Sequence, residues 1–205
     1  MISYVRELML LLIMTLKVIL DLVRHPTFSY FCVVERTCIS ELKKNPDNYY
    51  AMWFLGSLYV DHNKNQEAII LLETLINSNM SGTNVVIYLA RAYFHMHDYG
   101  QVIEVLSRLD NIPKKSSANY YIGYSLIELG QVSNGIDYLN VYLDHHPKDY
   151  MVLWKLGYEY SKQNKIELAL SAYEEAAKIN PSVKEIQDNI RNCYEKLELE
   201  KGGTH

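Results

Sequence analysis

The chain repeats itself at intervals close to 34 residues, and this period limits its possible folds more than any other feature. Four segments align, starting at Tyr49, Thr83, Ser116 and Tyr150, with offsets of 34, 33 and 34. The first carries Leu55-Gly56, Tyr59, Ala68 and Leu72, and the second Leu89-Ala90, Tyr93, Val102 and Leu106. The third carries Ile122-Gly123, Leu126, Gly135, Leu139 and Pro147. The fourth carries Leu156-Gly157, Tyr160, Ala169, Tyr173, Ala176 and Pro181. A unit of this size cannot bury its apolar face alone, so neighbouring units must stack and share a core.

Each unit reads as a helix, a tight turn and a second helix. Apolar residues recur three and four apart in Ile87–Phe94 and Trp154–Tyr160, the spacing of one helix face. The polar stretches Asp61–Asn65, His97–Gly100 and Lys162–Lys165 punctuate the hairpins. A Gly or Ala at the eighth position lets two helices approach closely, and a small residue at the twentieth receives large side chains from the paired helix. Two departures predict a looser middle of the array. Asn111-Ile112-Pro113-Lys114-Lys115 is one residue short with its proline shifted, and Gly135 stands where Ala would support the helix by about 1 kcal/mol more.

The fourth unit, VLWKLGYEY followed by ELALSAYEEAAKINP, resembles the tetratricopeptide repeat (TPR) family, and the resemblance extends from Pro46 to Val183. It implies an all-α fold, a right-handed α-solenoid of TPR helix hairpins with a C-terminal capping helix. The units would be 49–82, 83–115, 116–149 and 150–183. Upstream, 27–48 reads as the second helix of a degenerate first repeat and 1–26 as an apolar N-terminal helix. Downstream, Ile186, Ile190, Tyr194 and Leu197 recur at helical spacing among many charges, which predicts the capping helix over 184–200 and a tail over 201–205.

The N-terminal segment admits more than one reading. Leu8–Leu16 is an unbroken apolar run, interrupted afterwards by Lys17 and Asp21. Glu7 and the lack of a small-residue cleavage site argue against a signal peptide. Leu8–Val23 is shorter than the roughly 20 residues a membrane span needs. Ile2, Val5, Met9, Leu12, Leu16, Ile19 and Val23 form a seam that would pack on Phe28–Leu42. The alternative is that excess apolar surface on residues 1–24 buries in a second copy, a partner or a membrane face.

Composition narrows the function. A net charge of −4 leaves no excess cation to neutralise phosphates, which excludes nucleic acid as a first partner. Cys32, Cys38 and Cys193 are odd in number with no CxxC spacing, so they read as reduced thiols. No phosphate loop, HExxH or GxSxG motif is present, and neither His95 with His97 nor His145 with His146 is spaced to share a metal. The sequence therefore points to a protein that is not an enzyme, with no cofactor and no metal site.

The family resemblance also implies a binding surface. In the family the first helix of each unit lines the concave side through its second, fifth, ninth, twelfth and thirteenth positions. Carried over residue by residue, these are Tyr50, Trp53, Ser57, Val60 and Asp61, then Asn84, Ile87, Arg91, Phe94 and His95. The third and fourth units present Ser117, Tyr120, Tyr124, Ile127 and Glu128, then Met151, Trp154, Tyr158, Ser161 and Lys162. Both tryptophans fall here, among residue types that dominate interface energies. The expectation is an aromatic groove, anchored by Arg91 and Lys162, that holds a protein or peptide. One branch of the family clamps acidic chaperone C-termini with Lys and Asn, but Trp53, Ser57 and Tyr88 stand at those positions, so that function is not carried over. The reading is thus a cytoplasmic scaffold or adaptor. The alternative is a membrane-associated or self-assembling scaffold that uses residues 1–24 as anchor or oligomerisation element.

Overall fold

A computed structural model describes residues 12–20, 23, 30–78, 82–109, 111–114 and 116–202, and all regular structure among them is helical. The expectations for residues 1–11, 21–22, 24–29 and 203–205, including the seam residues Ile2, Val5 and Met9, lie outside the described residues. The chain forms two compact units, 1–111 and 112–205. The division falls between Asn111 and Ile112.

The first unit contains α1 (residues 12–20), α2 (Tyr30–Lys44), α3 (Tyr49–Asp61), α4 (Asn65–Asn77), α5 (Thr83–His95) and α6 (Tyr99–Leu106). The second contains α7 (Ala118–Glu128), α8 (Val132–Leu143), α9 (Tyr150–Lys162), α10 (Ile166–Ile179) and α11 (Lys184–Gly202). From α2 onward, consecutive helices within each unit pack on one another. Side-chain caps start several of them. Asn48 Oδ1 accepts from Ala51 N at 3.2 Å, Asp98 Oδ1 from Gln101 N at 3.2 Å, and Asp149 Oδ1 from Met151 N and Val152 N at 3.2 and 3.3 Å.

All four hairpins turn by the same device. Asn63, His97, Gly130 and Asn164 occupy the fifteenth position of their units with φ of 58°, 59°, 83° and 57°. The left-handed conformation stops each helix and turns the next N–H back onto it. Lys64, Asp98, Gln131 and Lys165 thereby donate to the carbonyls of Tyr59, Tyr93, Leu126 and Tyr160 at 2.8–3.0 Å. Asn and Gly tolerate this conformation, which makes the turn legible in the sequence; His97 is the exception.

The core lies between paired helices. Leu55, Leu89 and Leu156 at the seventh position are buried, as are Leu72, Leu106 and Tyr173 on the second helices, with Ala68, Val102 and Ala169 fully enclosed. Each such side chain contributes about 1.5–3 kcal/mol by leaving water. Gly135 corrects the expectation of a looser third repeat. A methyl group there would come within 2.5 Å of the Gly123 carbonyl oxygen and 2.6 Å of Ile127, and one on Gly123 within 2.8 Å of the Gly135 carbonyl. Helices α7 and α8 therefore meet backbone to backbone, and this crossing is close because both residues lack a side chain.

Candidate functional site

In the first unit, α3 and α5 carry the predicted surface residues. Tyr50, Trp53, Ile87, Arg91 and Phe94 are all half-buried. Trp53 lies edge-on to Phe54, with ring centroids 5.0 Å apart, and Phe94 lies edge-on to Tyr99 at 5.9 Å. Arg91 is already engaged: its Nη1 sits 2.8 Å from Asp61 Oδ1, and its guanidinium lies 5.9 Å from the Tyr88 ring. Arg91, expected as a polar anchor, thus carries an ion pair with Asp61 that is itself partly exposed. His95 Nδ1 is sealed from solvent with no partner. Burial, reinforced by the charge of Arg91, holds the imidazole below its usual range. Val60 is buried in the core instead of facing a groove.

In the second unit, α7 carries Tyr120 and Tyr124, and α9 carries Trp154, Tyr158 and Lys162. Tyr120 and Tyr124 lie 5.9 Å apart on α7, and Trp154 stacks with Tyr158 at 6.0 Å on α9. Lys155 joins the two helices. Its Nζ lies 2.8 Å from Glu128 Oε1 on α7 and 3.1 Å from Glu159 Oε1 on its own helix. The same ammonium sits 4.7 Å from the Tyr124 ring and 5.7 Å from the Tyr158 ring. Lys162 completes the cluster, 3.4 Å from Glu159 Oε2 and 5.3 Å from the Tyr158 ring. Ile127 is buried in the core of this unit rather than on the surface.

Lys155 and Glu159 are 7% and 2% exposed, so both charges are removed from water. Removing a charge from water costs several kcal/mol unless it is paired. Burial alone would lower the Lys155 pKa, but the hydrogen bonds to Glu128 and Glu159 outweigh it and hold the group above its ordinary value. Two ammoniums and two carboxylates cancel, leaving a neutral floor beneath the rings. Tyr158 is 43% exposed and forms the open part of the surface. Trp154 Nε1 is sealed from solvent with no acceptor.

The aromatic surface continues beyond the predicted residues. Tyr142 packs on Tyr120 at 5.5 Å and stacks on His146 at 4.2 Å and 11°. Its hydroxyl donates to Asp149 Oδ2 at 3.2 Å, and burial, followed by that carboxylate, pushes its pKa up to about 12. Sequence reasoning missed Lys155, Glu159, Tyr142 and His146. The first pair left a signal, a Lys and a Glu one turn apart inside the otherwise apolar run VLWKLGYEY. Such charges at core-facing positions need partners, and Glu128 was already in view.

Among the described residues, no three His, Cys, Asp or Glu side chains converge to hold a metal, and no helix is long and apolar enough to cross a membrane. The chain matches two family models: residues 61–142 that of anaphase-promoting complex, cyclosome, subunit 3, and residues 152–183 that of the tetratricopeptide repeat. No curated protein matches. Among solved structures, MamA is similar at 19% identity over 79% of this chain and 95% of that one, with a TM-score of 0.66. YrrB, described as a TPR protein with an unusual peptide-binding site, is 16% identical over 78% of this chain and 80% of its own, at 0.64. TTC0263, a thermophilic TPR protein of Thermus thermophilus, is 15% identical over 88% and 98%, at 0.59. At these identities the likeness concerns the fold.

Proposed function

We propose that this chain, which belongs to the tetratricopeptide repeat family and has the fold of a protein-interaction scaffold, binds an apolar or aromatic peptide segment on the α7–α9 surface of its second unit. The observation that carries this reading is Tyr158, an exposed ring stacked on Trp154 and flanked by the ammoniums of Lys155 and Lys162. The charges beneath it are mutually satisfied, so a ligand need not bring compensating charge. It needs apolar surface to cover the rings of Tyr120, Tyr124, Trp154 and Tyr158. Lys162, more than half exposed, is available at the edge to a carbonyl or carboxylate of the ligand. The role is holding rather than catalysis, since Lys155 and Glu159 are committed to one another and to Glu128. Tyr50, Trp53, Ile87, Arg91 and Phe94 of the first unit form a second, weaker patch, because Arg91 is occupied by Asp61. The fold likeness to YrrB, a peptide binder by its description, supports a peptide as the ligand class.

The test begins with selection of displayed random peptides on the full chain, followed by titration of the tightest one. Tyr158→Ala weakens binding at least tenfold, which corresponds to about 1.4 kcal/mol. Lys178→Ala, on the exposed side of α10, leaves binding unchanged. Selection that yields no peptide, or a peptide indifferent to Tyr158→Ala, overturns the assignment.

A further inference from the structure

Building on the peptide-binding reading above, we infer that the cleft at the start of α9 is a second subsite for the same ligand and takes an apolar side chain whose neighbour in the peptide carries a carboxylate. The cleft measures about 570 Å³, and its lining includes Tyr142, Pro147 and Met151 together with His146 and the exposed His145 and Lys148. All of it lies in the second unit. The Tyr142 side is set before any ligand arrives. Its ring stacks on His146 at 4.2 Å and 11°, His146 Nδ1 donates to the Tyr142 carbonyl at 3.0 Å, and the Tyr142 hydroxyl donates to Asp149 Oδ2 at 3.2 Å. A wall fixed in this way loses little freedom on binding. Met151 is 61% exposed, and its unbranched thioether adapts to apolar groups of different shape.

Charge selects the occupant. Asp149 is the one carboxylate in the lining, and it is spent on the chain itself: Oδ1 accepts from Met151 N and Val152 N, and Oδ2 from the Tyr142 hydroxyl. Asp144 lines a separate cleft with Leu153 and Leu168. Among the described residues Lys148 has no carboxylate partner, unlike Lys155 and Lys162. An ammonium without a counter-charge, beside apolar wall residues, suits a peptide carboxylate next to an apolar side chain.

The helix sets the spacing. Met151 and Tyr158 are seven residues apart on α9, roughly 10 Å along its axis. About three extended residues of a ligand cover that distance. Tyr120 links the two sites from α7, 5.9 Å from Tyr124 and 5.5 Å from Tyr142. A ligand lying along α9 therefore places an apolar or aromatic residue at Tyr158 and, about three residues away, an apolar residue adjoining Asp or Glu at the cleft.

Peptides selected from a displayed random library on the full chain provide the test. Those that lose affinity with Tyr158→Ala share this spacing, with Asp or Glu at the cleft end. Lys148→Glu weakens the tightest of them at least about tenfold, and selection repeated on that variant replaces the acidic residue by Lys or Arg. Met151→Ser weakens it about fivefold. Lys178→Glu, the same charge change on the exposed side of α10, leaves it unchanged. Lys148 and Met151 are both at the surface, and unchanged thermal melts verify that the variants fold. Peptides that require Tyr158 yet bind both cleft variants as tightly as the parent chain overturn the subsite and leave the peptide-binding reading standing. A selection that yields no peptide dependent on Tyr158 overturns both.

Discussion

The two units use the same hairpin and hold it together differently. The first joins its helices through buried aliphatic side chains and places its ion pairs at the rim: Lys17–Glu41, Lys64–Glu35 and Arg91–Asp61 all retain substantial exposure. The second buries a charged cluster around Lys155 and crosses α7 over α8 at backbone contact through Gly123 and Gly135. The contrast teaches that a repeat pattern sets the architecture, while a few departures from it set where the structure is least forgiving. The Lys155 cluster lies against the aromatic rings of the second unit, where the binding site is proposed.

This difference can be broken experimentally, because each unit holds one tryptophan. A Trp53→Phe background reports the second unit through Trp154, and a Trp154→Phe background reports the first through Trp53. The largest effect comes from Lys155→Met. It leaves Glu159 buried and short of a partner, and unfolding of the second unit in urea shows a loss of about 3–5 kcal/mol. The matching change in the first unit, Arg91→Ala, costs no more than about 1 kcal/mol, because its ion pair with Asp61 is partly exposed. Equal losses would show that burial does not distinguish the two clusters.

Next is Gly135→Ala, whose methyl group meets a backbone oxygen that cannot yield without moving a helix. The expected loss is about 1–3 kcal/mol, despite the better helix propensity of Ala. Gly56→Ala in the first unit meets side chains alone, Leu72 at 3.0 Å and Leu71 at 3.7 Å, and Leu72 can give way by a small rotation. It stays within about 1 kcal/mol by the same reasoning. A stabilising Gly135→Ala would sink the backbone-contact account.

The smallest effect is the different acid response of the units. The Glu35 and Glu41 carboxyls are held below their ordinary value of 4.5 by hydrogen bonds to Lys64 and Lys17, so their stabilisation is present above that pH and is lost as pH falls through the depressed values. His95, held below 6.5, adds to acid loss in the same unit, because folding there favours the neutral ring. Lys155 is held above 10.5, so its contribution is complete below that pH and is lost as pH rises through the raised value. Urea midpoints read by each tryptophan should therefore fall on the acid side for the first unit alone, while both units lose stability on the alkaline side, where burial also holds the Tyr59 phenol and the Cys38 thiol of the first unit above their ordinary values. Parallel curves would count against the assignment.

Parts of this were legible in the residues and parts were not. The Asn or Gly at the fifteenth position of three units carries its own explanation, since few residues accept a left-handed turn. The small residues at positions eight and twenty likewise announce close helices. Gly135 was visible but misleading, because helix propensity is a local term and takes no account of the Gly123 carbonyl facing it. Lys155 looked like one more charge on a helix, and only its position inside an apolar run hinted at burial.

The order of residues by itself determined the helical hairpin and its repetition, because both depend on spacing within a few turns of chain. Only the tertiary structure decided which charges are satisfied and which rings lie open. These depend on distances between helices far apart in sequence. Lys155 meets Glu128 across 27 residues and Lys17 meets Glu41 across 24, and a local pattern carries no record of such a pairing.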